Sequence, residues 1–307
     1  MRLPVEMSCI QVVVNNVCEN DCAHCSQLIG HQSRHYQMAL DYFERALASL
    51  QGHAGHCGIF GGNPLLHPQF PELCELLRKY QPVKARRELW CSGVNYDKYK
   101  AVIDETFYPE LVAYNAHEDE QDCWHQPVLI APDEVFVKAN FDGIPDKDLM
   151  WHVIDNCWVN KRWSAAITPD GAFFCEVASA LARLFGLTVG VPVEPGWWRR
   201  DEHDEYAWEF QQANICPLCS VCLPMPMVAN DKQDYDDISG GNLDRIISSS
   251  PRCIKGKYKI FNVDNLRNYY KGHTFEPETE FEKRGWFKDF PMWKPNRYRE
   301  VVKHAPA

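Results

Sequence analysis

Between residues 9 and 114 the chain alternates between two apolar rhythms. Cys9-Ile10-Gln11-Val12-Val13-Val14 is a short β-branched run that reads as a buried parallel strand. Leu40, Phe43, Leu47 and Leu50 then recur at helical spacing, with Asp41, Glu44 and Arg45 on the opposite face. Gly58-Ile59-Phe60 reads as a second strand that breaks into Gly61-Gly62-Asn63-Pro64. Leu73, Leu76, Leu77 and Tyr80 mark a second amphipathic helix, opened by Pro71 at a helix-start position. Glu88–Cys91 follows as a third strand, Tyr99, Val102 and Ile103 as a third helix, and Leu111–Tyr114 as a fourth strand. Strands alternating with helices predict an α/β fold with a parallel sheet and right-handed crossovers. Val128–Ile130 and Val135–Lys138 are candidates for later strands.

Near residue 150 the alternation stops and tryptophans multiply, at Trp151, Trp158, Trp163, Trp197, Trp198 and Trp208. The expected division is 1–150, 151–225 and 226–307. Within the second segment, Pro169-Asp170-Gly171 between apolar runs predicts a hairpin, because Pro presets φ and Gly takes the left-handed position. Cys175 then sits on the return strand, able to face Cys157. The acidic stretch 201–209 reads as an exposed helix face. His53, His56 and Cys57 have metal-like spacing but fall between a helix and a strand, where a solvated loop is expected.

Composition narrows the chemistry. The net charge of −10 and scattered lysines and arginines argue against an extended nucleic-acid surface. Neither a signal peptide nor a run of eighteen apolar residues is present, so the expectation is a cytoplasmic protein without a membrane span. Fourteen cysteines in a reducing compartment point to metal rather than disulfides. Cys9, Cys57, Cys74 and Cys123 are expected to be core thiols.

Cys18, Cys22 and Cys25 stand as Cys-x-x-x-Cys-x-x-Cys directly after the first strand. Three thiolates are one short of the four that usually hold an iron–sulfur cluster, which leaves a reactive position open. On the residues alone, a zinc site completed by His24 or His31 remains the rival. The turn Gly61-Gly62 lets another group approach bare backbone N–H and C=O groups. A second constellation joins Cys157 and Cys175 to Cys216, Cys219 and Cys222, a set that zinc would also accept.

Cys18, Cys22 and Cys25, followed after the second strand by Gly61-Gly62-Asn63-Pro64, resemble the radical S-adenosylmethionine (radical SAM) superfamily. Its members carry the same cysteine spacing and then a Gly-Gly-Glu-Pro-type turn. The resemblance implies a partial, six-stranded (βα)6 barrel. It also implies a four-iron, four-sulfur (4Fe-4S) cluster on Cys18, Cys22 and Cys25, with S-adenosylmethionine (SAM) chelating the open iron. Gly61, Gly62, Asn63 and Pro64 would hold the methionine end. Ser92 and Asn115, at strand ends, would touch SAM, although both also suit ordinary turns. Two positions depart from the pattern. Asn63 puts a neutral amide where the family has Glu, which contacts the SAM amino group. His24 replaces an aromatic residue before the third cysteine, and its imidazole would stack on adenine.

Cys157, the hairpin, Cys175 and the distant Cys-x-x-Cys resemble the twitch domain, a shortened SPASM extension of radical SAM enzymes. That resemblance implies one auxiliary 4Fe-4S cluster on Cys157, Cys175 and two among Cys216, Cys219 and Cys222. Cys216 and Cys219 are favoured as the Cys-x-x-Cys pair. The implied activity is abstraction of hydrogen from a small polar substrate such as a sugar, cyclitol or nucleoside. Two-electron oxidation would follow, with the auxiliary cluster accepting an electron and a flavodoxin or ferredoxin as electron donor. Cys91 and Cys253 are candidate hydrogen donors and Glu176 a candidate base. Residues from 226 onward would form a lid or carry substrate specificity. One alternative is a peptide maturase or epimerase, against which the few residues before the first strand leave no room for a peptide-recognition domain. The other is a zinc-stabilised binding protein.

Overall fold

The computed structural model describes residues 3–114, 124–138, 146–200, 205–223, 225, 228–229 and 233–266. The first strand, β1 (Cys9–Asn15), is buried at all seven positions, as its β-branched run requires. It is followed by α1 (Leu40–Ser49), β2 (His56–Gly61), α2 (Phe70–Tyr80), β3 (Arg87–Cys91), α3 (Tyr96–Thr106) and β4 (Val112–Tyr114). Four strands thus run parallel in the order β1, β2, β3, β4. Phe43, Ala46 and Leu47 of α1 and Leu73, Cys74 and Leu77 of α2 bury the faces that their three- and four-residue spacing defines. They pack with Ile10, Val12 and Val14 of β1, Ile59 of β2 and Leu89 of β3 in one core.

The later chain contains β5 (Trp124–His125), α4 (Lys147–Asp155), α5 (Trp158–Arg162), β6 (Ala165–Thr168), β7 (Gly171–Phe173), α6 (Glu176–Phe185) and α7 (Glu205–Ile215). It closes with β8 (Val228–Ala229), β9 (Asp236–Ile238), α8 (Gly240–Ile246), α9 (Pro251–Ile254) and β10 (Tyr258–Ile260). β5 pairs antiparallel with β8, and β9 pairs parallel with β10. The predicted hairpin is β6–β7, and Gly171 at its turn has φ +120°.

The result is a mixed α/β fold on a six-stranded, mainly parallel sheet of order β4-β3-β2-β1-β6-β7. Its membership differs from six successive βα strands. Among the described residues, the fifth and sixth members are the β6–β7 hairpin, laid on the far flank of β1 rather than beyond β4. β6 runs parallel to β1, with Ile10 opposite Ala165, Gln11 opposite Ala166 and Val12 opposite Ile167. Ala165, Ile167 and Phe173 therefore join the same core as the first four strands.

Val135–Lys138 is not a strand but lies within a π-helical turn, Glu134–Lys138. The preceding Pro132-Asp133-Glu134 is a helix-start signature that outweighs the short apolar run. Val128–Ile130 forms no strand, although Leu129 bridges to Ile238. His53 and His56 are buried, not solvated: His56 opens β2 with its Nδ1 2.8 Å from the Glu88 Oε1. Trp197 and Trp208 are among the largest buried side chains, so those tryptophans fill core. Cys9, Cys57 and Cys74 are buried as expected, while Asn115, Cys123 and residues 267–307 lie outside the described residues. Among the described residues, no helix is long and apolar enough to cross a membrane.

Candidate functional site

Three loops leave the C-terminal ends of β1, β2 and β3 and converge. They bring Cys18, Cys22 and Cys25 to one cleft of about 580 Å³ with Gly61, Gly62, Cys91 and Ser92. Phe60, Trp90, Ala113 and His125 complete much of its wall. Strand C-terminal edges are where α/β sheets gather ligand-binding loops, because each loop starts from a rigid strand end.

The glycines are required here by the chain itself. A Cβ on Gly61 would lie 2.5 Å from the Asn15 carbonyl O, and one on Gly62 would lie 2.4 Å from the Val17 carbonyl O. The turn is thus pressed against the start of the cysteine loop. The Gly62 N–H donates to the Asn15 O at 3.1 Å and the Asn63 N–H donates to the Val17 O at 2.7 Å.

Asn63 is fully buried and caps a short turn that begins at Pro64; its Oδ1 accepts from the Leu65 N–H at 3.1 Å. Its Nδ2 donates to the Glu19 Oε2 at 3.0 Å. The Ser92 hydroxyl donates to the other carboxylate oxygen, Oε1. Glu19, exposed and between the cleft-lining Cys18 and Asn20 in sequence without lining the cleft itself, thus has both oxygens oriented by buried neutral donors. Sequence reading passed over it; its place between Asn63 and Cys18 is a property of folding, and only its position next to Cys18 was a signal.

His24 does not face the cleft. It is buried at φ +55°, with Nδ1 3.7 Å from the Asp236 Oδ1 and Nε2 3.6 Å from the Asp237 Oδ2. The ring thus points away from the position expected for stacking on adenine, toward the Gln233 Nε2 at 2.8 Å beside Asp236 and Asp237. His31 likewise turns to Asp236 and Ser250. Neither imidazole is therefore available to complete a zinc site with the three thiols. Among the described residues, no three His, Cys, Asp or Glu side chains converge closely enough to hold a single metal ion. Thiolates on one zinc stand about 3.8 Å apart, from Zn–S bonds of about 2.3 Å. A cubane cluster, with a different iron for each thiolate, spreads them wider.

The sulfurs are also supplied with donors. Backbone N–H groups of Asn20 and Glu19 lie near the Cys18 sulfur, and those of Ile29, Gln27 and Leu28 near that of Cys25, close enough to favour their charged forms. Burial pushes the Cys18 thiol to about 12 and raises that of Cys25, and these donors pull both back. Such donors stabilise a thiolate once a metal has displaced its proton. The donor set fits a cluster.

The second constellation also assembles. Cys157, Cys175, Cys216 and Cys219 line a cavity of about 390 Å³ with Phe174, Val177 and Ile215. Cys157 and Cys175 are the N-cap residues of α5 and α6. Neither side chain makes a capping hydrogen bond, although nearby N–H groups of those first turns partly offset the upward push of burial on both thiols. Cys222 is not among the lining residues; it packs with Ile130, Phe136 and Met150, and its thiol points to the Cys219 carbonyl O at 3.5 Å. Burial, then the neighbouring sulfurs of Cys219 and Cys157, raises the Cys216 thiol.

Of the other candidates, Cys91 lines the cleft, and burial pushes its thiol to about 12. Cys253 is buried in α9, and Glu176 is buried beneath β6, where the Ser164 hydroxyl donates to its Oε2 at 2.5 Å. Neither lines the cleft. Burial holds the Glu176 carboxyl at about 8.

No family model and no curated protein matches the chain. Two solved structures are similar in part. One is BtrN in complex with AdoMet and 2-DOIA, with TM-score 0.39 and 14% identity, covering 69% of this chain and 92% of that one. The other is selenomethionine BtrN in an open conformation, with TM-score 0.41, 15% identity and the same coverage.

Proposed function

We propose that the chain is a radical SAM oxidoreductase acting on a small polar substrate. The observation that supports it is the convergence of Cys18, Cys22 and Cys25 with the Gly61-Gly62 turn on a single cleft. In this reading the three thiolates hold a 4Fe-4S cluster and leave one iron open for the amino and carboxylate groups of SAM. When bound, that pair supplies a 5′-deoxyadenosyl radical able to remove hydrogen from an unactivated carbon.

The protein's own residues bind, orient and exclude water. Glu19, fixed by Asn63 and Ser92, offers the SAM amino group the anionic contact that Asn63 itself lacks. Phe60 and Trp90 give the cleft an apolar wall, and the Trp90 Nε1–H donates to the buried Glu88 Oε2 at 3.2 Å, which fixes the indole. Cys157, Cys175, Cys216 and Cys219 would hold the auxiliary cluster, and with four protein thiolates its chemistry is electron transfer.

A second reading, epimerisation, is favoured by Cys91: a protonated thiol on the cleft wall is able to return a hydrogen atom to a substrate carbon radical. The thiyl radical left behind would be restored by one electron from the flavodoxin or ferredoxin donor and one proton. Anaerobic reconstitution decides between the main possibilities. About eight irons and eight sulfides per chain, with 5′-deoxyadenosine formed from SAM on reduction, are expected for two cubanes. Zinc without iron would overturn the reading. Substrate returned as an isomer, without net oxidation, would favour epimerisation.

A further inference from the structure

The cysteine loop, residues 16–28, contains neither helix nor strand. His24 and Leu28 within it hold positive φ, at 55° and 52°, a region that non-glycine residues enter only when their surroundings demand it. The demand comes from more than 200 residues further along the chain. The His24 backbone N–H donates to the Asp236 Oδ1 at 2.7 Å. Asp236 Oδ2 accepts from the Arg252 Nε at 2.5 Å and lies 3.2 Å from the His31 Nε2. Arg252 then reaches back across the loop: its Nη1 donates to the Asp21 carbonyl O at 2.6 Å and lies 2.9 Å from the Asp21 Oδ1. Lys257 donates to the Asp21 Oδ2 at 3.0 Å.

Asp236 and Arg252 are almost wholly buried, at 2% and 1% exposure, so this is a desolvated ion pair. One further donor of Arg252 and one oxygen of Asp236 are spent on the loop, while the Arg252 Nη2 donates to the Asp234 O at 3.1 Å within its own segment. Gly30 makes room for it, since a Cβ there would lie 2.5 Å from the Arg252 Cδ. Asp21 precedes Cys22, His24 precedes Cys25, and His31 follows the loop. One segment, 233–257, therefore grips both sides of two of the three thiols.

We propose that this segment is a brace for the cysteine loop and that Asp236 and Arg252 are positioning residues for the three-thiol site. The brace sets the loop's shape before any cofactor arrives. Its existence rests on the contacts above; its use in holding a cluster rests on the function proposed for the cleft. This role differs from the lid or specificity element expected for the region from residue 226.

The test uses the metal-free protein and two variants, Asp236→Asn and Asp21→Asn. The first keeps an acceptor for the His24 N–H but loses the charge; the second is at an exposed position and serves if the first does not fold. Alkylation of individual cysteines by iodoacetamide, read by mass spectrometry, reports loop order without any cofactor. In Asp236→Asn, Cys22 and Cys25 should react about tenfold faster while Cys157, Cys216 and Cys219 keep the wild-type rate. Asp21→Asn should move in the same direction by less. After reconstitution, iron should fall from about eight to about four per chain, the second site keeping its share. Wild-type alkylation rates at Cys22 and Cys25 in a folded variant would overturn the brace. A wild-type protein that takes up no iron, with Cys22 and Cys25 still released by the substitutions, would sink the cluster reading and leave the brace standing.

Discussion

At the scale of single residues, Glu19 changes the meaning of Asn63. Read in sequence, Asn63 is a lost carboxylate; folded, it is a donor that holds one beside Cys18. Glu19→Gln should weaken SAM binding to the reconstituted protein about 10- to 100-fold, as expected for a charge-assisted bond of about 1.5–3 kcal/mol, with little change in stability. Equilibrium dialysis measures it, and unchanged affinity would remove Glu19 from the site. His24 was misread for a related reason: spacing placed it next to Cys25, but the direction of its ring depends on Asp236 and Asp237, which no local pattern reveals. His53 gives a pH-dependent counterpart. Burial holds its imidazole down at about 4, below the ordinary value of 6.5, and its ring sits edge-on to Trp198. Between pH 6.5 and 4 the unfolded chain binds the proton more readily, so stability falls as pH falls through that window. The loss from this residue is at most about 3 kcal/mol. Urea unfolding at pH 7 and pH 4.5 should show a smaller pH-dependent loss in His53→Phe than in the wild type.

At the scale of elements, the second thiol set depends on where helices begin. The hairpin β6–β7 was legible from Pro169-Asp170-Gly171, because turn chemistry is local. That Cys157 and Cys175 each open a helix was not, since α5 and α6 carry no side-chain cap to announce them. Cys216, Cys219 and Cys222 could not be separated by spacing. Cys216 and Cys219 line the cavity, while Cys222 lies outside its lining, its thiol raised by burial and then by the nearby sulfurs of Cys157 and Cys219. Iron analysis of single Cys→Ala variants checks that division. Cys219→Ala should lose about four irons per chain and Cys222→Ala should keep about eight. The reverse pattern would place Cys222 in the ligand set and Cys219 outside it. Glu134–Lys138 shows the opposite limit, a short apolar run equally suited to strand or helix until its packing against α4 is known.

At the scale of the whole molecule, the first four strands and three helices could be read from periodicity, because each buries one face against a neighbour close in sequence. The partner on the other flank of β1 could not, since pairing between residues 10–12 and 165–167 leaves no local trace. A fragment ending at residue 150 would leave fully buried, β-branched β1 as a bare edge, so it should aggregate and show no cooperative unfolding by circular dichroism. A monomeric fragment with a sharp transition would contradict the shared sheet. The same pairing has a consequence for the interval between the two thiol sets. One follows the end of β1 and the other begins one short helix before β6, so a ladder of backbone hydrogen bonds fixes the strand ends from which the two thiol segments depart. A ladder can be reset only in whole notches, and a slip of one residue turns every side chain to the other face. Any register change that keeps the buried faces buried therefore moves these two strand ends past each other in steps of about 6.6 Å, a coarse adjustment that leaves fine tuning to the loops.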